Sequence, residues 1–171
     1  MKIAASQRLL LLVFLCLNFS SGVFLQTVTL GSGTDINSIT TSSPINIWYR
    51  KTVCQMVYTA SELTAAGAVA GPITQMGFFV TNNPIYDLPG YEIQMKHTTA
   101  PDASGSLEGG YTTVLSMDTY SPASGSWDML NLDIPFVWDG TQNIVVRICW
   151  SQVSPSFDPS GQLRVYSSTN G

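Results

Sequence analysis

The sequence predicts an all-β fold: a single antiparallel β-sandwich, jelly-roll-like or immunoglobulin-like, with one short helix near residues 60–66. Apolar residues alternate with polar ones along several segments, as they do on a half-buried strand. Clusters of Gly, Pro, Ser and Asp punctuate the chain at short intervals, as turns do. Only one stretch carries helix start and stop signals, and many short strands with one minor helix argue for a sandwich.

The first 22 residues are expected to leave the mature protein. Lys2 and Arg8 precede the unbroken apolar run at residues 9–17, which is too short to span a bilayer, and Ser20 and Gly22 place small residues before a cleavage point. Residues 23–171 then form one secreted domain. No second apolar stretch is long enough for a membrane span. With the leader go two of seven bases but none of eleven acids, so the net charge falls from −4 to −6. An acidic chain with scattered bases excludes nucleic acid and anionic membranes as partners, since both select clustered Lys and Arg.

Residues 27–30, 45–49 and 53–58 are weak strand candidates. Thr59 is placed to cap a helix, Glu62 to complete a capping box, Tyr58 and Leu63 to form a hydrophobic staple, and Gly67 to end it. About two turns would not be stable alone, so this helix reads as a plug across one end of a sheet. Residues 73–80 follow as a strand. In residues 91–98, Tyr91, Ile93, Met95 and His97 share one face while Glu92, Gln94, Lys96 and Thr98 share the other. Loops with Pro101-Asp102 and Ser121-Pro122 bracket a strand at residues 111–117. In residues 130–138, Leu130, Leu132, Ile134, Phe136 and Trp138 fall on one parity, and Pro135 breaks the donor ladder into two pieces. Asp139-Gly140 then reads as the turn of a hairpin whose second strand carries Ile144, Val146, Ile148 and Trp150 on one face. A last weak strand lies at residues 163–166, and the abrupt stop after it reads as a domain whose closing strand lies beyond this chain.

Three blocks carry a family resemblance: QMVYTASELTAAGAVAGPITQMGFFVT at residues 55–81, YEIQMKHTT at 91–99, and GSWDMLNLDIPFVWDGTQNIVVRICW at 125–150. Together they resemble a β-sandwich module of large secreted and cell-surface proteins of Bacteroidetes-type bacteria, found beside fibronectin type III-like domains and C-terminal sorting tails. The resemblance implies an extracellular adhesion or accessory role and brings no catalytic residues.

Candidate sites follow from residue chemistry. His97 is the sole histidine and reads as a packed side chain with backbone partners. The close ligand spacings of zinc motifs and the nucleophile elbow of hydrolases are both missing from the sequence. The carboxylates give no recognisable glycosidase pair. Calcium is the candidate cofactor, because Asp102, Asp118, Asp128 and Asp139 lie in or beside loops, although no EF-hand-like run occurs and loop Asp residues more often make Asx-turns, as expected of Asp139 before Gly140. Cys54 and Cys149 are the candidate disulfide in a secreted chain, though strand parity sets them on different faces. The aromatics give the best functional argument, since a sugar stacks its C–H face on an exposed ring while amides and carboxylates hold its hydroxyls. Trp138 and Trp150 fall on core faces. Trp127 lies on the parity opposite Leu130 and Leu132 and is the first candidate for stacking. Trp48-Tyr49 at a strand end, and Tyr86 and Tyr91 flanking the turn at residues 87–90, complete the candidate ligand-binding set. The expected function is a non-catalytic binding or adhesion module for glycan or extracellular protein. The alternative is a spacer or assembly module that pairs through an edge strand with another domain or subunit. A secreted glycoside hydrolase or esterase is a distant third.

Overall fold

A computed structural model of the chain describes residues 26–31, 35–36, 44–45, 51–81, 87–151 and 166–167. The expected leader, most of the candidate strand at residues 45–49 and residues 163–165 of the last candidate strand lie outside the described residues. The elements in chain order are β1 (Asp35–Ile36), β2 (Lys51–Tyr58), α1 (Ala60–Ala65), β3 (Gly71–Val80), β4 (Leu88–Thr98), β5 (Thr112–Tyr120), β6 (Ser126–Trp138), β7 (Asn143–Ser151) and β8 (Tyr166–Ser167). A four-stranded sheet of order β2-β7-β4-β5 packs against the two-stranded sheet β3-β6, while β1 and β8 form a short pair. Every pairing is antiparallel. The fold is the antiparallel β-sandwich that the period-2 pattern predicts.

The alternating residues of β4 and β7 form the wall between the layers. Register sets Ile93 beside Ile148 and Met95 beside Val146, and all four are buried. Leu132, Phe136 and Trp138 of β6 close the same core from the other sheet. Each buried Ile or Phe contributes about 1.5–3 kcal/mol. The outer face of the four-stranded sheet is the polar parity: Gln55, Arg147 and Gln94 lie in one row across β2, β7 and β4.

α1 forms as its sequence dictates. The Thr59 hydroxyl accepts from the Glu62 backbone N–H at 3.2 Å, and the Glu62 carboxylate accepts from the Thr59 N–H at 2.8 Å, a complete capping box. At the other end Gly67 takes φ +92°, Gly67 N–H donates to Thr64 O and Ala68 N–H to Leu63 O, a Schellman ending. Leu63 is buried against the core. Asn143 ties this end together, accepting from Ala60 N–H at 2.8 Å and donating to Ala100 O at 2.9 Å.

Three expectations need correction. Residues 27–30 do not form a strand; neighbouring Gln26 donates instead to Gly67 O behind the helix. The turn at residues 139–142 does not join a hairpin, because β6 pairs with β3 whereas β7 pairs with β2 and β4. It is an arch between the sheets. Asp139 Oδ1 accepts from Thr141 N–H and Gln142 N–H, both at 2.8 Å, so the expected Asx-turn is present, and the Trp138 indole N–H closes on Gln142 O at 2.8 Å. An arch suits these strands because Trp138 and Ile144 both turn inward to the same core. Ile134 also departs from the inward parity and is exposed. The cause is the break at Pro135. Ile73 pairs with Phe136 and Gln75 with Asn131, so β6 spends five residues while β3 advances two. The extra residues bulge out of the ladder, and there Asp133 accepts from Ser116 N–H of β5 at 3.0 Å.

Candidate functional site

The solvent face of the β3-β6 sheet carries the most distinctive surface among the described residues. Its outward pairs are Phe79 with Trp127, Gly77 with Met129, and Gln75 with Asn131. Trp127 is 49% exposed. Its ring stands edge-on to Phe79, at 6.0 Å between centroids and 89° between planes. That contact braces the indole without covering it, so its orientation is set before any ligand arrives. Beyond lies Met129, partly exposed. A Cβ on Gly77 would stand 2.8 Å from Met129 Sδ and 2.2 Å from Asp128 O, so only glycine allows the two strands and the thioether to approach so closely. Next, Gln75 Nε2 donates to Asn131 Oδ1 at 2.6 Å. One amide oxygen and one amide nitrogen of this pair remain for a partner. From Trp127 to Asn131 the strand rise gives about 14 Å. All six residues of this stretch are uncharged.

Past the bulge the surface turns aliphatic. Ile134 and Val137 are exposed there, as is Val69 in the segment leading into β3, and with Trp127 and Met129 they are five of the six large hydrophobics exposed among the described residues; Val53, on the other sheet, is the sixth. Clusters of that kind mark contact surfaces.

Behind Trp127, Asp128 turns inward. Its Oδ2 accepts from the Tyr120 hydroxyl at 2.6 Å and from Ala123 N–H at 2.8 Å, which fixes the β5–β6 turn and thereby the start of β6.

The other candidates fare differently. Tyr91 is a core residue, 0% exposed, with its ring 4.4 Å from that of Tyr120, and it is removed from the ligand-binding set. Its alternation with Ile93 and Met95 outweighs its position beside a turn. Trp48, Tyr49 and Tyr86 lie outside the described residues. Cys54 and Cys149 are both free thiols. Cys54 sits opposite Ile148 on the inner face, and Cys149 opposite Val53 on the outer one, so the sheet separates them. Burial pushes the Cys54 thiol up to about 11. Burial, and then the neighbouring Glu92 carboxylate, also raise Cys149.

Among the candidate calcium ligands, Asp102 accepts from Ser104 N–H, and Asp139 and Asp128 are engaged as described. Among the described residues no group of three or more His, Cys, Asp or Glu is placed to hold a metal ion. His97 packs its ring 4.8 Å from that of Phe136, and its Nε2 is buried without the backbone partner expected of it. Trp138 and Trp150 are buried, as their parity requires. No helix among the described residues is long and apolar enough to cross a membrane.

Sequence reasoning missed Phe79, Gly77, Gln75 and Met129, which become neighbours of Trp127 and Asn131 only through the β3-β6 register. Comparison with family models, curated proteins and solved structures gives no match to this chain.

Proposed function

We propose that the protein is a secreted, non-catalytic recognition module that binds uncharged glycan on the solvent face of β3-β6. The observation that carries this reading is the Trp127 indole, half exposed yet braced by Phe79. A sugar stacks on that ring over a flat floor made by Gly77 and Met129, and its far end meets the Gln75–Asn131 amides. The span of about 14 Å holds about two or three pyranose rings. The leader at residues 1–22 supports secretion, and the resemblance of the three blocks to adhesion-type modules supports a binding role.

The test is a glycan array probed with wild type and Trp127→Ala, with and without calcium, with light scattering in the same buffer. Wild type is expected to hold a class of neutral glycan, and Trp127→Ala to lose about tenfold in affinity at unchanged melting temperature. No binding by a folded monomer refutes the reading.

A second reading, an assembly module, is favoured by the exposed Ile134, Val137 and Val69. There the same face packs on another protein or subunit, and light scattering returns a dimer that Val137→Glu dissociates. Strand addition at β5 is the weaker route, because Asp133 already occupies the Ser116 N–H on that edge.

A further inference from the structure

The outer face of the four-stranded sheet holds a second arrangement, on the side of the sandwich away from Trp127. Arg147 lies on β7, which has neighbours on both sides, so its side chain rises from the middle of the sheet. Its Nη1 donates to Gln94 Oε1 at 2.8 Å. Gln94 is itself oriented, donating to Glu92 Oε2 at 3.0 Å. On the other side the guanidinium carbon lies 5.7 Å from the centre of the Tyr111 ring, and Gln55 Nε2 holds the Tyr111 hydroxyl at 2.9 Å. The guanidinium is therefore positioned by groups that are themselves positioned, as in a preorganised receptor.

What it lacks is an anion. Among the described residues Arg147 forms no ion pair; its Nε is buried without an acceptor, so an anion meets the guanidinium at its Nη groups. The acids nearby face elsewhere. Glu92 receives Gln94 and the Cys149 thiol, and Glu108 receives the Ser106 hydroxyl. Lys96 adds to the positive field. Its ammonium sits 4.4 Å from the same ring centre, held by the carbonyls of Leu107, Glu108 and Gly109 at 3.2, 3.3 and 2.9 Å. Carbonyl dipoles solvate that charge without cancelling it. Two cations thus share one aromatic ring in a chain with eleven acids and seven bases.

We propose that the Arg147–Tyr111 face binds a carboxylate-bearing sugar, with the guanidinium taking the carboxylate beside the Tyr111 ring. A carboxylate matches the planar fork of arginine. Its single charge also suits the site better than a doubly charged phosphate would, with Glu92 one residue row away and the chain net negative. This site is separate from the Trp127 face and does not depend on it.

The test uses trigalacturonate and its methyl ester as probes, titrated into the protein and read by isothermal calorimetry. Wild type is expected to bind the acid form and to lose about ten- to a hundredfold on esterification, since a charge-assisted bond is lost. Arg147→Gln should lose as much, Arg147→Lys should keep part of the affinity, and Trp127→Ala should bind as wild type does; circular dichroism verifies that each variant is folded. Added salt should weaken the complex. Equal affinity for acid and ester, unchanged binding in folded Arg147→Gln, or no binding of trigalacturonate by wild type at about millimolar concentration overturns the proposal. Loss of binding in Trp127→Ala alone places the acidic sugar on the other sheet and overturns it too.

Discussion

Replacing Asp128 by alanine tests whether one inward carboxylate holds the start of β6. Its Oδ2 receives the Tyr120 hydroxyl at 2.6 Å and Ala123 N–H at 2.8 Å. Tyr120 is 3% exposed, so its largely buried side chain loses its hydrogen-bond acceptor when the carboxylate goes. Two bonds to an ionised acceptor, less what Ala123 recovers from solvent, set the loss for Asp128→Ala at about 3–4 kcal/mol. Tyr120→Phe removes one bond and leaves Asp128 still bonded to Ala123, at about 1.5–2 kcal/mol. The double variant removes both partners of the buried bond. Adding Tyr120→Phe to Asp128→Ala should therefore cost nothing further, a coupling of at least about 1.5 kcal/mol. Urea unfolding of the four proteins, followed by tryptophan fluorescence, closes the cycle. Strict additivity, or an Asp128→Ala variant as stable as wild type, would show that the carboxylate does not carry the turn.

Further expectations concern titration, thiols and packing. Burial holds Tyr91, and burial with the Asp128 hydrogen bond holds Tyr120, far above the usual tyrosine range. The unfolded chain therefore sheds these protons first as pH rises, so stability is full below about pH 10 and falls above it by about 1.4 kcal/mol per pH unit for each group. Denaturant unfolding between pH 9 and pH 12 (from about one unit below to about two units above the ordinary tyrosine value) should show that decline, and a tyrosinate signal from the folded protein at ordinary pH would contradict it. Thiol titration after denaturation without reductant should count both Cys54 and Cys149 as free, and reductant should leave the melting temperature unchanged. Gly77→Ala drives a Cβ against Asp128 O, which cannot move without parting the β3-β6 ladder; a loss of about 1–3 kcal/mol is expected by thermal melting.

The strands were legible wherever one face is buried and the other solvated. Residues 91–98 and 143–150 show their parity directly, and their apolar sets face inward. The cap of α1 was equally legible, because Thr59, Glu62 and Gly67 act on backbone groups within one or two turns of themselves. What sequence could not supply was pairing. Asp139-Gly140 is compatible with a hairpin or an arch, and the choice rests on which partners the flanking strands find. Trp127 was found through its parity, yet Phe79 was not, since the two meet only across a register broken at Ile73 and Gln75. Tyr91 shows the converse case, a residue whose strand periodicity spoke for the core while its turn-side position spoke for the surface.

The place of β7 between β2 and β4 has a kinetic consequence. β2 has no neighbour in its sheet until β7 arrives, and their register joins Lys51 to Ser151 and Tyr58 to Ile144. The β4–β5 hairpin can close early, but the middle of the sheet needs a contact across most of the domain. Such pairings delay the rewarding contacts until after the chain entropy has been spent, and folding is correspondingly slow. A nascent chain lacking β7 presents β2 as an unpaired strand with Val53 and Val57 on one side and Cys54 and Met56 on the other, so the interval before β7 joins is when misassociation competes with folding.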